Sequence, residues 1–457
     1  MARPMILKPP VSARTAIMFR IPLTAALLLV AASAARADDA APYSAIDQAA
    51  AGIEDQVIAW RRDIHQHPEL GNREFRTSGM VADHLRALGI EVREKVAHTG
   101  VVGVLKGGKP GKVVALRADM DALPVTEQTG LPFASKETAV YNGKETGVMH
   151  ACGHDTHVAI LMGVAEILAG MRDDLAGTVK FIFQPAEEGP PEDEDGGARM
   201  MVAEGALADP RPDAIFGLHV GPRDYKTIGY ASGPLLSSSD RMRIHVVGKQ
   251  THGASPWRGI DPVVVAAQII MGLQTIHSRQ IDVREPHVIS VGMVQGGVRF
   301  NIIPDDVELI GTVRTQNEAV RAEVHERIVR TAQKIAESAG ATAEVTFSQP
   351  IPVTVNDPGL TEKMLPTLQR VAGKENVQPT ATVMGYDDFS YFAQEVPGLF
   401  FFLGTRAPDM PASEAAPNHS PLFVVDESAL VLGVRALANL TVDFLNGTSE
   451  TERAAAN

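Results

Sequence analysis

The chain has 457 residues, 42 basic and 55 acidic, a formal net charge of −13 and a single cysteine, Cys152. That acidity argues against nucleic acid or another polyphosphate partner, and one cysteine excludes an internal disulfide. A chain of this length can bury the cores of two domains.

At the start, Arg3, Lys8, Arg14 and Arg20 precede the apolar run IPLTAALLLVAASAA, and Ala35-Arg36-Ala37 follows. A basic start, a short apolar run and small residues at that spacing predict a cleaved signal peptide over 1–37, begun at Met1 or Met18. The run is too short for a comfortable membrane span. An exported protein, periplasmic or secreted, with no membrane contact after cleavage, is expected. The remainder would carry 37 basic and 55 acidic residues, a net −18.

Residues 44–62 read as a helix with Ser44 as N-cap, and 76–88 as a second helix stopped by Gly89. VVGVLKG and KVVALRADMD read as strands. HVAILMGVAEILAGM reads as a helix capped by Asp155 or Thr156, and GTVKFIFQPAEE and DAIFGLHVG as further strands. Strands alternating with helices predict an α/β fold: a mainly parallel mixed sheet with helices on both faces. The pattern changes near Gly233. RMRIHVVG, PVVVAAQIIMGLQTIHS, HVISVGMVQGG, VELIGTVRT, a helix over 317–340 and TAEVTFS then follow in the order β-α-β-β-α-β. This predicts an inserted ferredoxin-like domain over 234–348, splitting a larger domain into 43–233 and 349–449. The larger domain resumes with a helix over 360–372, a helix after Asp387, the buried strand LFFFLGT and a closing helix over 426–445. Residues 450–457 read as a loose tail.

Open α/β sheets bind ligands beyond the carboxyl ends of their strands. Here those ends collect Asp119 and Asp121, Glu187 and Glu188, His219, and, after LFFFLG and a loop, His419. The stretch HACGHDTH places Cys152 and His154 before a helix at the same edge. A lone cysteine is an idle core residue, a nucleophile or a ligand. Sulfur, imidazole and carboxylate converging on one rim fit a transition metal such as Zn, Mn, Ni or Co, and make Cys152 a ligand whose thiolate the ion stabilises.

The segments RRDIHQHPEL, RADMDALPV, HACGHDTH, QPAEEG, GLHV, THGASPWRGIDP, FNIIPD, DDFSYF and NHSPLF, in that order, resemble the metal-dependent amidohydrolase family of aminoacylases, hippurate hydrolases and auxin-conjugate hydrolases, related to zinc exopeptidases. The resemblance implies a zinc-exopeptidase-like catalytic domain interrupted by a small lid. It implies Cys152, His154, Glu188, His219 and His419 as ligands of two divalent ions, with Cys152 bridging, and Glu187 as general base to a metal-activated water. Asp119 and Asp121 stand where the exopeptidase branch carries a His-x-Asp pair, and are read as carboxylates that orient ligands. From the lid, His252 resembles a histidine that reaches the substrate carbonyl region, in some cases from a partner subunit. Arg299 and Asn301 are placed to hold a substrate carboxylate. Met384, Phe389 and Trp257 are candidates for an apolar acyl pocket.

The expected activity is therefore metal-dependent hydrolysis of N-acyl amino acids, with a metallo-dipeptidase or carboxypeptidase on small peptides as the alternative. A homodimer or higher oligomer is compatible with the lid's strand edges. The stretch Gly189-Pro-Pro-Glu-Asp-Glu-Asp195 is either a solvated loop or a device that draws cationic substrates. Two rivals differ in class. A cysteine hydrolase would survive chelators, and a binding protein would not need the Glu187-Glu188 pair.

Overall fold

The structure, a computed structural model, describes residues 43–447. The signal-peptide and tail assignments, 1–37 and 450–457, lie outside the described residues. Everything below concerns the unit that begins at Gln48. The first predicted helix is interrupted by a turn at Ile53 and runs four residues past Arg62, as α1 (Glu54–Gln66). Next come α2 (Phe75–Ala87), β1 (Glu91–Val96), β2 (Gly100–Lys106) and β3 (Lys109–Asp119). A hairpin, β4 (Thr138–Tyr141) and β5 (Lys144–Gly147), precedes α3 (His154–Gly170), β6 (Ala176–Gln184), α4 (Gly197–Ala203), β7 (Ala214–Gly221) and β8 (Ile228–Tyr230).

The chain then passes through β9 (Gly233–Leu236) into β10 (Ser239–Val247), β11 (Thr251–His252), α5 (Pro262–Thr275), β12 (His287–Gln295), β13 (Ile302–Ile303), β14 (Asp306–Thr315), α6 (Glu318–Ser338) and β15 (Thr342–Ile351). It returns through β16 (Thr354–Asn356) to α7 (Pro358–Ala372), β17 (Val377–Pro379), α8 (Phe389–Glu395), β18 (Gly398–Gly404) and α9 (Leu430–Asn446).

The main sheet has eight strands in the order β1-β2-β6-β3-β7-β18-β8-β17. Its centre, β6-β3-β7-β18, is parallel throughout, and antiparallel pairs occur only towards the edges. Alternation within the buried strands sends Ala115, Ile182, Ile215 and Phe400 to one face, where they pack with Ala198 and Met201 of α4 and with Phe389 and Phe392 of α8. On the other face Phe216 meets Phe444 of α9 edge-on at 5.9 Å. The helical stretch Glu427–Asn446 is long and apolar enough to cross a membrane, but 83% of its apolar window is buried here as core.

The smaller domain is a four-stranded antiparallel sheet, β12-β14-β10-β15. Its own core joins Met242, Ile244 and Leu309 from the sheet to Ile269 and Leu273 of α5 and Val324 and Ile328 of α6. The α6 helix begins where Asn317 caps it, its side chain accepting from the Ala319 and Val320 amides. Among the described residues, the covalent links between the two parts run through β9 and β16, which pair antiparallel with each other. The smaller sheet is bounded by Ser239 and Ile351, so this hinge ladder takes up the start of the predicted 234–348 segment.

Candidate metal centre

The loops after the central strands converge at one rim. Asp121 follows the end of β3, Glu187 and Glu188 follow β6, and His219 lies near the end of β7. Helix α3 starts at His154, with Gly153 as N-cap at φ 92°, not at the predicted Asp155 or Thr156 caps. The glycine is required twice over, since a Cβ there would also sit 2.4 Å from Val220 Cγ2. Asp155 is instead buried against Arg61 Nε at 2.7 Å and His65 Nδ1 at 2.9 Å, so it serves tertiary packing rather than the helix end.

Donor atoms of Cys152, His154 and His219 lie within 4.8 Å of one another, as do those of Cys152, Glu188 and His419 and those of His154, Glu187 and Glu188. Cys152 Sγ is 3.4 Å from His219 Nε2, and His419 Nε2 is 3.0 Å from Glu188 Oε1. The distant His419 loop is stitched in by its own amide to Ala151 O at 2.8 Å and by Asn418 Nδ2 to Cys152 O at 3.0 Å. Cys152, His154 and Glu188 each belong to two of these three donor groups, so the groups form one continuous cluster.

The imidazoles are oriented from behind. His154 Nδ1 donates to Asp121 O at 2.8 Å, leaving Nε2 buried and without a hydrogen-bond partner, 3.8 Å from Glu187 Oε2. His219 Nδ1 donates to Val220 O at 2.6 Å, which directs its Nε2 towards Cys152. A buried imidazole nitrogen without a hydrogen-bond partner among carboxylates and a thiol is what a cation would satisfy. Asp121 Oδ2 also accepts the Glu188 amide at 2.9 Å, so one carboxylate sets both a histidine and the glutamate turn.

Sequence reasoning missed the layer beneath. His157 uses both nitrogens: Nδ1 meets Asp119 Oδ1 at 2.5 Å, and Nε2 accepts the Val220 amide at 2.9 Å. Arg117, fully buried, lies 2.6 Å from Asp119, 3.0 Å from Asp387 and 3.1 Å from Asp388. A charged residue inside an otherwise apolar buried strand was the available signal.

The electrostatics separate the two adjacent glutamates. Burial pushes the Glu187 carboxyl well above the ordinary range, and Asp387, Glu188, Asp388 and Asp119 push it further. Burial would also raise Glu188, but His419 and His154 outweigh it and hold that carboxyl down. Burial, then Glu188 and Glu187, lift the Cys152 thiol, so a thiolate there needs a cation beside it.

A cavity of about 770 Å³ opens on Glu187 and Glu188, walled by both domains and by the tip of the β4–β5 hairpin. Tyr141, Tyr386, Tyr391, Met293 and Ile351 supply its apolar surface. The predicted acyl-pocket residues do not: Phe389 is wholly buried in the core, Trp257 is 76% exposed, and neither they nor Met384 line the cavity. Three acids of the stretch 189–195 sit beside arginines. Glu194 pairs with Arg73 at 2.5 Å, Asp195 with Arg199, and Glu192 lies 3.7 Å from Arg241. The cavity wall instead carries Arg314, which has no carboxylate within 4.0 Å among the described residues. Its Nε donates to Thr312 Oγ1 at 3.0 Å, its guanidinium lies 4.6 Å from the Tyr386 ring centre, and Nη1 is buried without a partner. His252, Arg299 and Asn301 share a corner where β11 pairs with β13, and none of them lines the cavity.

Paired donor groups at the strand ends of an α/β sheet, beside two glutamates of opposite character, define a dinuclear metallohydrolase. Residues 115–443 match the model of Peptidase family M20/M25/M40, and the chain belongs to that family. It is 44% identical over 398 residues to thermostable carboxypeptidase 1 of Saccharolobus solfataricus, covering 86% of this chain and 96% of that protein. It is 37% identical to the N-acetyl-L-cysteine deacetylase of Bacillus subtilis, covering 88% and 91%. The crystal structure of a dinuclear metal-binding M20 peptidase of Bacillus subtilis superposes with a TM-score of 0.72 at 37% identity, over 87% of this chain and 99% of that one. The chain is thus a metal-dependent hydrolase of linear amides that uses two divalent ions.

Proposed function

We propose that this enzyme hydrolyses the amide bond of N-acyl amino acids, with Cys152, His154, Glu188, His219 and His419 holding the two ions. One observation carries the reading: Glu187 and Arg314, a guanidinium with no carboxylate within 4.0 Å among the described residues, face the same cavity. A base beside the donors and a cation in the wall suit a substrate with a free carboxylate near its scissile amide. The mixed sulfur, nitrogen and oxygen set favours Mn, Zn, Ni or Co over Mg or Ca. Such ions supply Lewis acidity, making water acidic and polarising the amide carbonyl. Glu187, the stronger base of the pair, accepts the proton of the attacking water and returns it to the leaving nitrogen. Arg314 holds the carboxylate, and Asp119 and Asp121 keep the imidazoles in line.

The 44% identity to a carboxypeptidase supports the alternative, cleavage of small peptides, which also present a terminal carboxylate to Arg314. Names of relatives such as the IAA-amino acid hydrolase ILR1-like 2 of Arabidopsis thaliana, 38% identical, support the acyl reading. We further place a second copy of the chain over the corner that holds His252, Arg299 and Asn301, because Trp257, Val298 and Phe300 stand exposed there. The basic and apolar N-terminal pattern supports export. The test is a panel of N-acetyl and N-benzoyl amino acids, their C-terminal amides, and dipeptides, assayed before and after chelation. The acyl amino acids should be cut fastest, the amidated forms poorly, and activity should vanish with chelator and return with Mn, Co or Zn. Faster cleavage of dipeptides would favour the alternative, and activity that survives chelation would end the metal reading.

A further inference from the structure

Glu74 is wholly buried and stands just before α2, where a carboxylate ordinarily caps the helix. It does not do so. Glu69 caps this helix instead, its two oxygens accepting the Arg76 and Thr77 amides at 2.9 Å each. The Glu74 side chain turns the other way: Oε1 accepts the Ala186 amide at 2.8 Å, and Oε2 lies 2.5 Å from Thr99 Oγ1.

Ala186 is the residue before Glu187, and it sits at φ 50°, in the left-handed region that alanine avoids. Such a conformation persists only where neighbours over-determine it. Three contacts do so here. Glu74 binds the Ala186 amide, Asp121 binds the Glu188 amide at 2.9 Å, and Gly71 leaves so little room that a Cβ would sit 3.1 Å from Ala186 Cβ and 3.0 Å from Gly189 O.

We infer that Glu74 is a positioning residue: its buried carboxyl group, anchored on Thr99, holds Ala186 in the strained turn that presents Glu187 to the cavity. This rests on Glu187 as the base. Burial, with Asp121 adding to it, pushes the Glu74 carboxyl up to about 8, in keeping with a group used for hydrogen bonding rather than charge. A glutamine keeps that bonding, its carbonyl accepting from Ala186 and its amide donating to Thr99 Oγ1.

The experiment compares Glu74→Gln, Glu74→Ala and Thr99→Val at saturating metal, recording kcat, KM and the melting temperature of the metal-free chain. Glu74→Ala should lower kcat about thirtyfold with KM within about threefold, as misplacement of a reacting group does, while Glu74→Gln should stay within about threefold of the parent. The loss from Glu74→Ala should shrink when Ala186→Gly is also present, since glycine adopts the turn without help. Equal losses in both backgrounds, or a fall in melting temperature with kcat unchanged, would overturn the proposal. If Glu74→Ala does not fold, Thr99→Val carries the test: it should lower kcat and not KM, and an unchanged kcat counts against the proposal. Glu187→Gln, run alongside, separates the two readings, because full turnover in that variant refutes the base assignment and not the geometry of Glu74.

Discussion

Glu187 and Glu188 are neighbours in sequence with opposite surroundings. Glu188 shares a donor group with Cys152 and His419, whereas Glu187, beyond the group both form with His154, also lies beside Asp387 and Asp388. Replacing Glu187 by Gln should therefore leave two ions bound while turnover falls at least about a hundredfold, within the usual range for loss of a general base. Elemental analysis of the dialysed variant together with initial rates checks both halves. The implied ligands were legible because Glu188 and His219 are polar residues at the ends of apolar strands, Cys152 and His154 open an apolar helix at the same edge, and His419 follows the last strand through a loop. Arg117 and His157 were not, because their partners Asp387, Asp388 and Val220 come from segments that only the fold brings near. The guanidinium chosen from sequence, Arg299, belongs to an exposed corner. Arg314 was overlooked because it reads as one polar position of an alternating strand.

At the scale of elements, strands buried on both faces, such as β6 and β18, could be read from continuously apolar runs, and those of the smaller sheet, such as β10 and β15, from alternation. Strand β1 escaped notice because as a sheet edge it exposes Glu91, Arg93, Glu94 and Lys95 and shows no apolar alternation. The hairpin β4–β5 is exposed along most of its length and makes its sharp reversal at Asn142 and Gly143, with φ of 51° and 74°. In the smaller domain, Asp240 of β10 ties the sheet to α6 through Arg321 at 2.8 Å and His325 at 3.0 Å. Burial pushes the Asp240 carboxyl up, but the His325 and Arg321 hydrogen bonds outweigh it and hold it below its ordinary value. A depressed carboxyl contributes stability above its unfolded pKa, about 4, and loses it as pH falls through the folded value. Thermal melts from about pH 6 down to about pH 3 should show an acid limb that Asp240→Asn flattens. An unchanged limb would mean that Asp240 is not its source.

At the scale of the whole molecule, the substrate cavity belongs to neither domain alone. Glu187, Tyr386 and Tyr391 come from the larger part, and Met293, Thr312 and Arg314 from the smaller. The exposed apolar corner of the smaller domain leads to an expectation about assembly. Sedimentation at micromolar concentration should give a dimer, and Phe300→Asp, with Phe300 96% exposed in the single chain, should give a folded monomer with reduced turnover. A parent protein that sediments as a monomer at full activity would remove the partner from the site.

Among the described residues the chain crosses between the two parts where β9 and β16 lie side by side. Any swing of the smaller part must pivot there, as a door does on a single pin. Arg314 stands next to that pin, since its neighbour Thr315 is bonded to Ser238, the residue before β10, through backbone at 2.7 Å and through hydroxyls at 2.8 Å. Met293, on the outer strand of the smaller sheet, rides farther from the axis. Were the smaller part to turn about that pin, Arg314 would shift less than Met293.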